Sequence, residues 1–80
     1  MSTKTDLVAL ELLKTLAEKS RLSPSMLANE TGLNHQEIKT TLRTLAKLKL
    51  VETPARGIYV ITDAGRRHLQ FLQSLGEEKA

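Results

Sequence analysis

Between Thr31 and His35 the chain has three residues, Gly32-Leu33-Asn34, in which one helix must end and the next begin. Glycine closes a helix by taking the left-handed conformation at its end. Asn34 is a good N-cap for the following helix, and Glu37 stands three residues on, in a capping-box-like arrangement. Upstream, Ser23-Pro24 marks the preceding start. Serine there accepts a hydrogen bond from an orphan helix amide, and proline at the first helical position has a preset φ and no N–H to leave unpaired. These signals predict helices over 24–31 and about 35–48. The second is the more amphipathic. Ile38, Leu42, Leu45 and Lys49 fall on one side with Thr41 beside them, and Gln36, Lys39, Thr40, Arg43 and Lys47 fall on the other. The polar side carries no acid, and Glu37 lies on its flank.

A first helix is expected over 6–19, capped by Asp6, with Ala9, Leu12, Leu13 and Leu16 at core spacing. Leu7, Val8 and Leu10 widen its apolar surface beyond one stripe. After Leu50 the period changes from helical to alternating. Leu50–Thr53, Pro54-Ala55-Arg56-Gly57 and Ile58–Thr62 read as strand, tight turn and strand. Thr62-Asp63 then starts a last helix, in which Leu69, Leu72 and Leu75 repeat at threefold spacing with Phe71 adjacent. The expectation is a mainly α single domain over residues 1–80 with a small β-hairpin. Its core spans about 6–75, and residues 1–5 and 76–80 are expected to fray.

Charge is distributed unevenly. Residues 1–33 carry four cations and four anions, residues 34–68 seven against three, and residues 69–80 one against two. All the excess positive charge therefore lies between Asn34 and His68, which suits either a polyanionic partner or an ordinary solvated surface. With no cysteine, neither disulfides nor thiolate metal sites can staple the fold. Two histidines and two aspartates offer no catalytic triad, metal set or phosphate loop, so neither an enzyme nor a cofactor is expected. One tyrosine and one phenylalanine, both at plausible core positions, give a poor platform for single-stranded nucleic acid. No apolar stretch approaches the roughly 20 residues of a membrane span, and the N-terminus lacks a signal-peptide layout. A cytoplasmic protein without a membrane or small-molecule effector is expected.

The segments LSPSMLANETGLNHQEIKTTLRTLAKLKLVE and GIYVITDAGRRHL together resemble the winged helix-turn-helix of bacterial and archaeal transcription regulators, MarR-like and related. The first looks like their bihelical core, with Ala28, Gly32 and Ile38 in register. The second is similar to the end of their wing, where a threonine starts the closing helix and a glycine follows shortly. The resemblance covers residues 9–72 and implies a three-helix core, a short wing and a C-terminal helix. Many members have a glycine where this chain has Lys49, and lysine enters the left-handed conformation only at a cost. The helix is therefore expected to run one residue further or to leave without that cap.

The resemblance also implies that helix 35–48 enters the major groove of double-stranded DNA. Asn34, His35 and Gln36 would then stand where contacts to base edges are usual. Gln36 suits adenine, and Arg43 suits guanine or a phosphate. Lys39 and Thr40 would contribute near the groove floor or its walls, Lys47 and Ser25 would contact a phosphate, and the hairpin-tip Arg56 a phosphate or the minor groove. Leu7, Leu10, Phe71, Leu72 and Leu75 are either extra core or a homodimer face. The dimer is preferred, because the resemblance implies that terminal helices pair, and a two-fold dimer would read a palindromic site. Sequence-specific binding as a small repressor is the leading expectation. The alternatives are a protein–protein module within a larger complex and an architectural, non-specific DNA binder.

Overall fold

The computed structural model describes residues 3–79, with side-chain surroundings from Leu7 to Leu75. The elements are α1 (Thr3–Lys19), α2 (Pro24–Thr31), α3 (His35–Lys47), β1 (Val51–Ala55), β2 (Ile58–Ile61) and α4 (Asp63–Lys79). This is the mainly helical winged helix-turn-helix expected from the sequence. α1 is the scaffold, packing against α2, α3, α4 and β2. Its Leu12, Leu13 and Leu16 are fully buried with Leu27 of α2, Ile38 and Leu42 of α3, and Val51 of β1. Each such side chain contributes about 1.5–3 kcal/mol relative to exposure, which makes this shared centre the main source of stability.

The local signals act as their chemistry requires. Ser23 is extended (φ −87°, ψ 164°), and its Oγ accepts the Met26 N–H at 3.2 Å. Gly32 ends α2 at φ +73°, with its N–H donating to the Ala28 carbonyl at 2.8 Å. Asn34 Oδ1 accepts the N–H groups of Gln36 and Glu37 at 2.7 and 3.4 Å. α3 buries Ile38, Thr41, Leu42 and Leu45, the side expected to face the core.

At the exit of α3, Lys49 sits at φ +66°. Its N–H donates to the Ala46 carbonyl at 3.0 Å, and the Leu50 N–H donates to the Leu45 carbonyl at 2.9 Å. These paired bonds form a Schellman cap. Lysine therefore occupies the glycine position of the cap and accepts the strain of roughly 1–2 kcal/mol carried by a left-handed non-glycine residue. Ser20 does the same after α1, at φ +75°.

Other expectations are corrected. α1 begins at Thr3, so Asp6 lies inside the helix and is not its cap. The backbone of α4 is helical through Lys79, and that of α1 from Thr3. Met1, Ser2 and Ala80 lie outside the described residues. Pro54 and Ala55 belong to β1, not to the turn, which contracts to Arg56-Gly57. The pairing Val51↔Ile61, Glu52↔Val60, Ala55↔Ile58 leaves Thr53 and Pro54 together opposite Tyr59, a bulge. Tyr59 makes its bonds on the other side: its N–H donates to the Leu22 carbonyl at 2.9 Å and its carbonyl accepts the Leu22 N–H at 3.2 Å. Pro54, without an N–H, therefore costs the ladder nothing there. The link after α1 thus serves as a one-residue third strand.

Candidate nucleic-acid interface

The wing is held to α3 by a compact junction. Thr62 N–H donates to the Leu50 carbonyl at 3.0 Å, and Thr62 Oγ1 donates to the Lys49 carbonyl at 2.7 Å. The same Oγ1 accepts the Gly65 N–H at 3.0 Å and so caps α4. Gly65 lets the two segments touch. A Cβ there would overlap the Leu50 carbonyl oxygen and stand 2.7 Å from Ile61 Cγ1. The threonine-then-glycine pattern at the start of the closing helix thus has a steric reason.

On that frame, every residue expected to contact DNA is exposed: Ser25, Asn34, His35, Gln36, Lys39, Thr40, Arg43, Lys47 and Arg56. They do not form one uniform face. Lys39, Arg43 and Lys47 line a cleft with Pro24 at the start of α2 and with Thr53 and Tyr59 on the wing. None of the three cations forms an ion pair among the described residues, so their charge is available to a partner. An ion pair of Lys19 with Glu30, at 4.0 Å, is exposed and lies elsewhere; such pairs are worth little. Gln36 and Thr40 stand apart from the cations. They border a mostly apolar depression on the neighbouring flank of the same exposed side of α3, shared with Val8, Glu37, Leu48 and His68. Arg56 sits in the wing turn.

Two expected contacts narrow. Asn34 spends its Oδ1 on two backbone amides, so its principal work is to fix the start of α3. At the start of α2, Pro24 has no N–H and the Met26 amide is taken by Ser23, which leaves the Ser25 amide as the open donor of the first turn. Thr53 and Tyr59 were missed. Tyr59 is half-buried against the core, as sequence suggested, yet it also lines the cleft. No local sequence rule places it there, because the bridge to Leu22 that orients it joins distant residues.

The five apolar residues expected as extra core or dimer face divide. Leu10 and Leu72 are half-buried and pack against the core. Leu7, Phe71 and Leu75 are exposed, Leu7 at 61% and Phe71 at 56%, which removes Phe71 from the core position it was given. Phe71 lies beside His68, with ring centroids 6.1 Å apart. Among the described residues, no group of three or more His, Asp or Glu side chains is placed to hold a metal, and no helix is long and apolar enough to cross a membrane.

Residues 6–52, from α1 to the start of β1, match the model of a family described as the RNA polymerase III subunit RPC82 helix-turn-helix domain. The chain belongs to this family. The match supports the helix-turn-helix, and its type is the polymerase-subunit domain rather than the MarR-like regulators specifically. In this RPC82-type domain the matched segment holds Ser25, Asn34, the whole of α3 and the junction up to Glu52, while most of the wing and α4 lie beyond it. No curated protein and no solved structure matches the chain.

Proposed function

We propose that this chain binds double-stranded DNA through the exposed face of α3, as a sequence-selective transcription protein without catalytic activity of its own. The observation that carries the reading is the row of Lys39, Arg43 and Lys47, exposed and without ion pairs, on a helix whose opposite side is buried. A major groove admits one helix, and Gln36, Thr40 and Arg43 supply the donors and acceptors that base edges and phosphates accept. Regulation by repression, in which bound protein occludes a promoter, is the role included in the proposal. A two-fold pair through Phe71 and Leu75 would extend the site to a palindrome. A soluble, cytoplasmic setting and freedom from small-molecule effectors complete the proposal.

The test is duplex binding measured against salt. With Lys39, Arg43 and Lys47 on phosphates, log affinity should fall with log salt at a slope of about −3, from about −0.9 per phosphate. Arg43→Glu should weaken binding more than tenfold and leave the melting temperature unchanged, since Arg43 is exposed and unpaired. Light scattering in the same titration gives the copies per duplex, two for the palindromic form. Absence of duplex binding at low salt refutes the proposal. Family membership favours a second reading in that case, a winged-helix module within a polymerase-type complex, docked by the exposed Leu48, Phe71 and Leu75.

A further inference from the structure

The cleft at the base of the wing gives the binding surface a direction. Its cations all lie on one flank of α3, whereas the depression on the other exposed flank is bordered by Gln36, Glu37, Thr40 and Thr44 of α3 and by His68, with no lysine or arginine. A phosphodiester strand needs positive potential together with hydrogen-bond donors that fix its position. Both are found in the cleft. Tyr59 and Thr53 line it beside Lys39, Arg43 and Lys47, and neither hydroxyl has a hydrogen-bond partner among the described residues. Tyr59 is also held in place on two counts. Its backbone is bonded to Leu22 through both N–H and carbonyl, and its side chain packs against the core. The bulge at Thr53-Pro54 opposite Tyr59 brings two β1 residues against one of β2, and Thr53 shares the cleft wall with Tyr59.

We infer that one strand of the duplex seats its phosphates in this cleft, with the Thr53 and Tyr59 hydroxyls as neutral donors, so that the wing grips by its base and not by Arg56 at its tip. The inference rests on the duplex-binding reading above. It assigns a function to two residues placed otherwise by their sequence, and it orients the complex: the charged flank of α3 follows a backbone, and the Gln36/Thr40 edge turns toward the bases.

The experiment titrates a random-sequence duplex at several salt concentrations against the full chain and four variants: Thr53→Val/Tyr59→Phe, Tyr59→Phe, Lys47→Gln and Arg56→Gln. The hydroxyl-free double variant should bind about tenfold or more weakly with an unchanged salt slope, because two hydrogen bonds of ordinary net worth are lost and no charge is. Lys47→Gln should reduce the slope by about 0.9. Arg56→Gln should stay within about twofold in affinity, since the proposed strand path leaves the tip free of backbone contacts. Tyr59→Phe alone preserves the ring and its packing, so an equal melting temperature identifies its loss as a binding loss. If the parent binds and the double variant stays within twofold of it, the cleft assignment is overturned while duplex binding stands. A larger loss in Arg56→Gln than in the double variant also overturns it. If the parent binds no duplex, both readings fall together.

Discussion

Gly65→Ala sets two local rules against each other, and the structure decides the sign. Gly65 is the third residue of α4. An interior glycine replaced by alanine gains a helix up to about 1 kcal/mol, so propensity alone predicts a more stable protein. The added Cβ, however, would meet the Leu50 carbonyl oxygen, and Ile61 Cγ1 at 2.7 Å. Leu50 is backbone, pinned on both sides. Its carbonyl accepts the Thr62 N–H at 3.0 Å, and its own N–H donates to Leu45 at 2.9 Å. It cannot retreat without opening either the α3 cap or the link to α4. Forced overpacking of this kind costs about 3 kcal/mol, the upper end of the usual range. The net loss is then about 2 kcal/mol, or about 10 °C in melting temperature for a domain this small. Thermal unfolding followed by circular dichroism measures it directly. A melting temperature equal to or above the parent's would show that the close approach of α4 to Leu50 is not what fixes the wing.

The junction makes a complementary prediction at Lys49. Replacing it with glycine removes the left-handed strain at φ +66° and should stabilise the protein by about 0.5–1 kcal/mol, a rise of several degrees in the same assay; a fall would place another role on the side chain. Asn34→Ala should cost about 1 kcal/mol of stability through the lost cap and leave duplex affinity within about twofold, measured well below the melting temperature. A tenfold loss of affinity at unchanged stability would instead place Asn34 on a base edge.

What the sequence disclosed follows from how local each signal is. Ser23-Pro24, Gly32 and Asn34 act through bonds spanning two to four residues, so their roles can be read from neighbours alone. The facing of α3 is equally plain, because burial on one side imposes a period. The candidate site was legible to the same extent: its residues were found, but the grouping of the three cations on one flank of α3, toward the wing, was not. That grouping depends on what stands beside α3, namely Val8 and His68 on one side and Thr53 and Tyr59 on the other, and no periodicity along α3 encodes its neighbours. Pro54 was assigned to the turn because proline favours turns. It lies in a strand because Tyr59 turns its bonds toward Leu22, thirty-odd residues away. Phe71 has the composition of a core residue, but α4 needs only Leu69 and the half-buried Leu72 to cover the core, which leaves Phe71 outside.

These observations converge on the few residues between α3 and α4. The cleft that holds the cations has one wall on α3 and the other on the wing, so its width is set where the wing leaves α3. There Lys49 adopts a strained conformation, its carbonyl accepts the Thr62 hydroxyl, and that hydroxyl caps α4 through Gly65. A glycine at 49 would make the turn with less strain, but it would also loosen it, since glycine samples many conformations that lysine does not. The Thr62 bond to the Lys49 carbonyl holds the strained turn in place, which makes strain and clamp parts of one device. A rigid wing base keeps Thr53 and Tyr59 at a fixed distance from Arg43 without ligand, and preorganisation of that kind lowers the ordering cost of binding. The same substitution that raises the melting temperature at Lys49 should therefore not raise duplex affinity, because stability and cleft geometry are set by opposite properties of that one residue.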